Sequence, residues 1–256
     1  QLDPGEVGWT TPRNIKPVVV EPDVTSAEVD QAAPSTFNPV KKAQVDYLKA
    51  YVNAFETTLY AERSTNFATR NYRKYIDVPS WIDHSLLEIL AFNVDAFTLS
   101  AYFHKDRNGK INAGPIWDFD RALNSDDGRD ANPRQWNGMN IAPDWWGQLL
   151  SDPDYVQALV DRWWELRKGA FSDASLGALV DQLGNEVGAA AGARDAARWP
   201  GVDGNTPESG SYLGEVAAMK AWLTSSSPDS LGRTNWIDSQ FPKPPSTASD
   251  SGVVSP

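Results

Sequence analysis

The chain has 256 residues, 41% of them hydrophobic, including eleven Trp, eight Tyr and nine Phe, which is enough apolar area for one substantial core and too much for disorder throughout. A formal net charge of −11 argues against nucleic acid and anionic membranes as partners, because phosphate contacts need a basic face. The absence of cysteine excludes a disulfide framework and a thiolate zinc site, and no apolar run approaches the ~20 residues that span a bilayer.

Residues 1–38 are rich in Pro, Asp, Thr and Val, with only residues 17–20 strand-like, so they read as an extended lead-in continuing from a longer polypeptide. Asn38 and Pro39 then supply an N-cap and a first-turn proline, and Val45, Leu48, Tyr51, Val52, Phe55 and Leu59 recur at helical spacing. Ser80 with Asp83 is a capping-box variant, opening a helix that carries Leu86, Leu87, Ile89, Leu90 and Phe92 and ends near Asn93. Next, Phe97, Leu99, Ala101 and Phe103 alternate with polar residues at the period of a strand. Asn108-Gly109 marks a two-residue hairpin turn. The expected hairpin pairs residues 97–104 with 110–117, sets Arg107 opposite Lys110, and buries Trp117 in the core. Downstream the pattern is helical and Trp-rich over residues 144–150, 153–166, 176–199 and about 211–224. The expected fold class is therefore α+β, mainly helical, around a central β-hairpin. Residues 39–240 form the folded body, and the Pro/Ser-rich residues 241–256 form a linker or tail.

The densest chemical signal is Gly114-Pro-Ile-Trp-Asp118-Phe-Asp120-Arg-Ala122, where two carboxylates follow the returning strand. A Mg²⁺ ion takes one or two carboxylates together with phosphate oxygens and water, which this pair could provide. The same Asp-x-Asp spacing also serves turns and helix caps. Asp95, between the buried helix and the first strand, is the second signal, although it reads equally well as a loop residue. In the expected register Asp118 faces Leu99, so Asp95 lies four residues further out, about 13 Å at ~3.3 Å per residue, and strand twist could bring it nearer. A metal-bound phosphate and an acceptor hydroxyl would fit between the two.

Other features read as structural. Gly184, Gly188 and Gly192 have no following Lys-Ser/Thr and read as a close-packed helix face rather than a phosphate loop. The loop at 123–130, with Asp126, Asp127 and Asp130, lacks EF-hand spacing and reads as a solvated acidic loop. Trp145, Trp146, Trp163 and Trp164 stand at helical spacing and read as core. His84 and His104 are isolated and offer neither a zinc pair nor a triad.

Three runs, Phe92-Asn-Val-Asp95-Ala-Phe97, Ala101-Tyr-Phe-His-Lys-Asp-Arg-Asn-Gly109-Lys110 and Gly114-Pro-Ile-Trp-Asp-Phe-Asp120, together resemble the signature region of the CotH kinase family. The resemblance extends from the helix after Asn38 to Asn235-Trp-Ile-Asp-Ser-Gln240. It implies the C-terminal lobe of an atypical protein-kinase-like fold, using ATP and Mg²⁺ to phosphorylate Ser in a Ser-rich protein substrate, secreted or of the coat, at a bacterial cell or spore surface. By that resemblance Asp95 is the catalytic carboxylate and Asp118 a metal ligand, with Asp120 beside it. The chain departs from ordinary kinases in carrying Ser100 where a metal-binding Asn stands five residues after the catalytic Asp. It also has no Gly-rich phosphate loop and no Lys–Glu pair. The resemblance therefore implies a missing N-terminal lobe of the same protein as partner, and a chain that alone holds ATP weakly and is inactive. The alternative is a non-catalytic binding or structural module of an exported protein. A haloacid-dehalogenase-like phosphatase with Asp118 as nucleophile would need a parallel sheet, against which the tight hairpin argues.

Overall fold

The computed structural model describes residues 3–125, 128–139, 141, 144–200 and 211–243. Its elements are mainly helical, with two small antiparallel sheets, in agreement with the expected class. Two compact units divide the chain, one made of Gln1–Trp81, Ala101–Ile116 and Ile141–Val156, the other of Ile82–Ser100, Trp117–Asn140 and Gln157–Pro256.

In the first unit, β1 (Val7–Gly8) pairs with β2 (Val18–Val19), which falls in the strand-like run of the lead-in. A short helix, α1 (Ser26–Val29), follows, and Val7, Val24 and Val45 close a small apolar cluster. Helix α2 (Pro39–Ser64) begins at the Asn38-Pro39 signal, where the Asn38 side chain accepts the amides of Val40 and Lys41, two donors that the helix itself leaves unpaired. Its inner face buries Val45, Phe55 and Leu59 together with two carboxylates, Glu56 and Glu62. Glu56 accepts the Thr11 hydroxyl at 2.7 Å, the Arg13 amide at 2.9 Å and the Trp145 indole at 3.0 Å. Burial acts to raise the pKa of Glu62, but the Thr69 hydroxyl and the amides of Asn71, Arg70 and Thr69 outweigh it and hold the group at about 2. These bonds fix the turn after α2.

Trp81 forms the centre of this unit, its ring 4.5 Å from Trp146, 5.0 Å from Phe103, 5.6 Å from Phe55 and 6.4 Å from Trp145. Its indole donates to the Ile111 carbonyl at 3.0 Å, which satisfies the one polar atom such a buried ring carries. Trp145 and Trp146 open helix α4 (Trp145–Leu149) and are both buried, as their spacing suggests.

The hairpin exists but is shorter than its alternation promised. Strand β3 (Phe103–Lys105) pairs with β4 (Ile111–Ala113), with His104 opposite Asn112 and Lys105 opposite Ile111. A two-residue turn would have put Asp106 opposite Ile111. Instead, the Gly109 amide donates to the Asp106 carbonyl and only Asn108 of the turn pair takes positive φ, at 62°, so the register shifts by one. Both sheets are antiparallel pairs. Among the described residues there is no parallel sheet of the kind the phosphatase reading needs, only an isolated parallel bridge between Ile76 and Ile111.

In the second unit, residues 97–100 are not strand. The Asp95 carbonyl accepts the amides of Thr98, Leu99 and Ser100, a closed turn that leaves Leu99 78% exposed. Trp117, expected in the core, is 57% exposed. Helix α3 (Val78–Ala91) starts two residues before Ser80, because Asp77 caps it by accepting the Ser80 amide at 3.0 Å. Helix α5 (Pro153–Arg167) carries the buried Trp163 and the half-buried Trp164. The single helix expected over 176–199 breaks at Gly188, φ 76°, into α6 (Asp173–Val187) and α7 (Ala189–Arg198). Helix α8 (Tyr212–Thr224) packs on both. A Cβ on Gly184 would come within 2.8 Å of Val216, and one on Gly192 would strike the Tyr212 ring, so these two glycines are close-packed, on two different helices, while Gly188 ends the first of them and makes no such close approach among the described residues. A last helix, α9 (Arg233–Gln240), was not legible in the apolar periodicity. Asp126, Asp127 and residues 244–256 of the expected tail lie outside the described residues. No described helix is long and apolar enough to cross a membrane.

Candidate active site

All the residues that place Asp95 and Asp118 belong to the second unit. Helix α3 ends with Phe92 in the left-handed region, φ 53°, while the Asn93 amide donates back to the Glu88 carbonyl at 3.1 Å. This is the closure usually built with glycine; Phe fills the position because its ring is fully buried and packs 4.4 Å from the guanidinium of Arg233. The chain is thus turned sharply out of the helix just before Asp95.

Asn93 ties the two aspartate segments together. Its side-chain oxygen accepts the Asp95 amide at 3.4 Å and its amide group donates to the Asp118 carbonyl at 3.1 Å. Beside it the Val94 amide approaches the Arg121 carbonyl, and the Leu123 amide donates to the Ala91 carbonyl at 2.9 Å, so residues 118–123 run alongside residues 91–95. Ser100 makes a second tie: its amide donates to the Asp95 carbonyl and its hydroxyl to Asp118 Oδ2 at 3.2 Å. The segments that carry Asp95 and Asp118 are therefore held side by side through a helix cap and a turn, not along paired strands.

Asp118 holds positive φ, 64°, a conformation Asp tolerates better than most residues, and its side chain is exposed. Asp120 is exposed too, and no contact fixes its carboxylate among the described residues. No cluster of three or more His or acidic groups arises there either. An exposed carboxylate with a hydroxyl beside it suits a hard cation that keeps water and takes phosphate oxygens, which is the habit of Mg²⁺, and not an all-protein calcium cage. The exposed Asp118 carboxylate fits such an ion, with Asp120 two residues away.

Asp95 itself is flanked by cations: Arg129 reaches Oδ1 at 3.1 Å and Arg121 Nε stands 3.9 Å from Oδ2. Neither arginine, nor Asn93, stood out from the sequence; only the position of Arg121 directly after Asp118-Phe-Asp120 hinted at it.

A family model described as CotH kinase protein matches residues 19–227. The chain belongs to this family. No curated protein and no solved structure matches it. For a CotH chain the matched span contains Asn93, Asp95, Ser100, Asp118, Arg121 and Arg129, so every contact just described lies inside the family domain, and a kinase-like function follows. Helix α9 lies beyond the match.

Proposed function

We propose that this CotH chain transfers the terminal phosphoryl group of ATP to a Ser hydroxyl of a secreted or coat protein, outside the bacterial cell or on the spore. What supports this most is the double tie, through Asn93 and the Ser100 hydroxyl, that sets an exposed Asp118 carboxylate beside Asp95. Phosphoryl transfer asks a protein for positioning and charge neutralisation more than for covalent chemistry. The acceptor oxygen bonds to the terminal phosphorus, the bond from that phosphorus to its bridging oxygen breaks, ADP leaves, and Asp95 receives the hydroxyl proton. Asp118 and Asp120 would hold Mg²⁺, which when bound neutralises charge on the phosphate oxygens. Ser100 fixes the Asp118 carboxylate where an ordinary kinase would place a further metal ligand. The grip on the nucleotide is assigned to an N-terminal lobe of the same protein.

Calorimetry with Mg²⁺-ATP and a transfer assay on a Ser-rich acceptor test this, on the chain alone and joined to any polypeptide preceding it in its gene. Asp118→Asn should weaken Mg²⁺-nucleotide binding, since it removes charge from the metal's shell. Asp95→Asn should bind nucleotide at least as well while transfer falls about 10²- to 10⁴-fold. If no form binds nucleotide, or both variants transfer normally, a non-catalytic module takes the place of the kinase.

A further inference from the structure

Both oxygens of the Asp95 carboxylate face a guanidinium, and the backbone of each arginine is held by a hydrogen bond of its own carbonyl. The Arg121 carbonyl faces the Val94 amide, one residue before Asp95. Arg129 stands between Gly128, φ 75°, and the fully buried Asp130, whose carboxylate holds the Ser125 amide and hydroxyl, and the Arg129 carbonyl accepts the Gln135 side chain at 3.2 Å. Two backbone segments thus bring two cations to one carboxylate, on a segment tied to that of Asp118.

As a stabilising feature this arrangement is weak. The side chains of Asp95, Arg129 and Arg121 are 22%, 36% and 50% exposed, and ion pairs of that exposure contribute little to stability. As a binding feature it is strong, because a guanidinium offers five donors in a planar fork that matches a phosphoryl group as well as a carboxylate. A net charge of −11 also makes paired surface cations at this one carboxylate informative: polyanions are repelled by the molecule at large and need local positive charge to approach.

We propose that Arg121 and Arg129 form an anion site for phosphoryl oxygens, resting on Asp95 when empty and exchanging onto the phosphate chain when it arrives. The exchange would leave Asp95 free to face the acceptor hydroxyl. This refines the kinase reading and rests on it for the identity of the natural ligand, but the site itself is defined by its chemistry, an oligophosphate. Arg129, the closer of the two, carries the larger share.

The test titrates the same chains used above with two probes, inorganic tripolyphosphate and Mg²⁺-ATP, with melting temperatures as a folding control. Arg129→Ala should weaken tripolyphosphate binding about 10- to 100-fold, the range of a lost charge-assisted hydrogen-bond pair. Arg129→Lys should recover only part, since Lys restores charge without the fork, and Arg121→Ala should show a smaller loss. Asp95→Asn should tighten tripolyphosphate severalfold by removing a carboxylate that competes for both arginines, an effect that a purely structural salt bridge does not predict. Tripolyphosphate binding that depends on the arginines without any Mg²⁺-ATP binding would support the anion site and sink the kinase. Mg²⁺-ATP binding and transfer that are indifferent to both arginines would do the reverse. A wild-type chain that binds neither probe sinks both.

Discussion

Glu88 and His84 stand one helical turn apart on α3, fully buried and nearly so, with His84 Nε2 3.6 Å from Glu88 Oε1. Burial pushes the Glu88 carboxyl up to about 7, with the Asn93 side chain offsetting part of this, and burial pushes His84 down to about 4. The two shifts act oppositely on stability. Glu88, raised above its ordinary 4.5, takes up a proton on folding, so its contribution falls as pH climbs from 4.5 to 7. His84, lowered from 6.5, releases one, so its contribution improves as pH climbs from 4 to 6.5. In the wild-type chain they largely cancel over the shared window. Glu88→Gln should remove one arm: relative to wild type its melting temperature should rise as pH climbs from 4.5 to 7, and exceed wild type by several degrees near pH 8. Melts of both proteins across that range check this, and parallel curves would mean the pair is not coupled to folding. At this same scale the sequence singled out two carboxylates whose segments the fold holds side by side, and was illegible for what surrounds them. Asp95 and Asp118 stand out because carboxylates at element ends are few. Arg121, Arg129 and Asn93 do not, because an Arg or Asn in a loop carries no periodic signal and gains its role only from what the fold brings near. Trp117 was misjudged for a related reason: alternation in a short apolar run says which residues share a face, not whether anything covers it.

Among elements, the legible ones were those with a chemical start or a long period. Asn38-Pro39 fixed α2 to the residue, whereas the hairpin lost its outer half because Asp95 offers its carbonyl to three successive amides and so closes a turn where a strand was expected. The packing of α6 on α8 was legible only as a spacing of glycines, and the structure gives it a cause, since the Val216 methyl group stands where a Gly184 Cβ would be, 2.8 Å away. Gly184→Ala gains up to about 1 kcal/mol of helix propensity but overpacks an interhelical contact, a cost of about 1–3 kcal/mol. The net effect should be a lower melting temperature. Shortening the partner, in Gly184→Ala with Val216→Ala, should recover part of it despite removing buried methyl groups. A single variant more stable than wild type would show that the two helices have room to spread.

At the scale of the molecule, each unit is assembled from three separate stretches of chain, so distant segments must be fastened to one another, and in the second unit α9 does much of this. Arg233 is wholly buried, and among the described residues it pairs with no carboxylate: it donates to the carbonyls of Ile89, Pro133 and Gln135 at 2.8–2.9 Å and lies against the rings of Phe92, Trp136 and Trp236. Desolvation lowers its pKa to about 9, which still leaves it charged at neutral pH. Three residues of the same helix hold the others: Thr234 and Asn235 donate to Asp173, and Asp238 accepts from Trp163 at 2.8 Å and from Arg167 at 2.9 Å. The helix therefore joins the end of α3, the loop around residue 135, α5 and the start of α6, although it was invisible as an amphipathic pattern and lies outside the family match. The Ile89 carbonyl it holds is in the last turn of α3, three residues before the sharp bend that delivers Asn93 and Asp95. A chain ending at Gly232 would take their α9 partners from the carbonyls of Pro133 and Gln135 and from the Trp163 indole, while Arg167 and Asp173 would keep each other at 2.8 Å; each buried group left unsatisfied costs about 1–3 kcal/mol. With the burial of Ile237 also lost, that is a large share of what holds a domain of this size. The shortened chain should lose the cooperative thermal transition of the second unit and the hydrogen-exchange protection of α3's last turn and of residues 91–100. Arg233→Met should lose part of both. Retention of that protection in the shortened chain would mean that the site is held by the Asn93 and Ser100 ties alone.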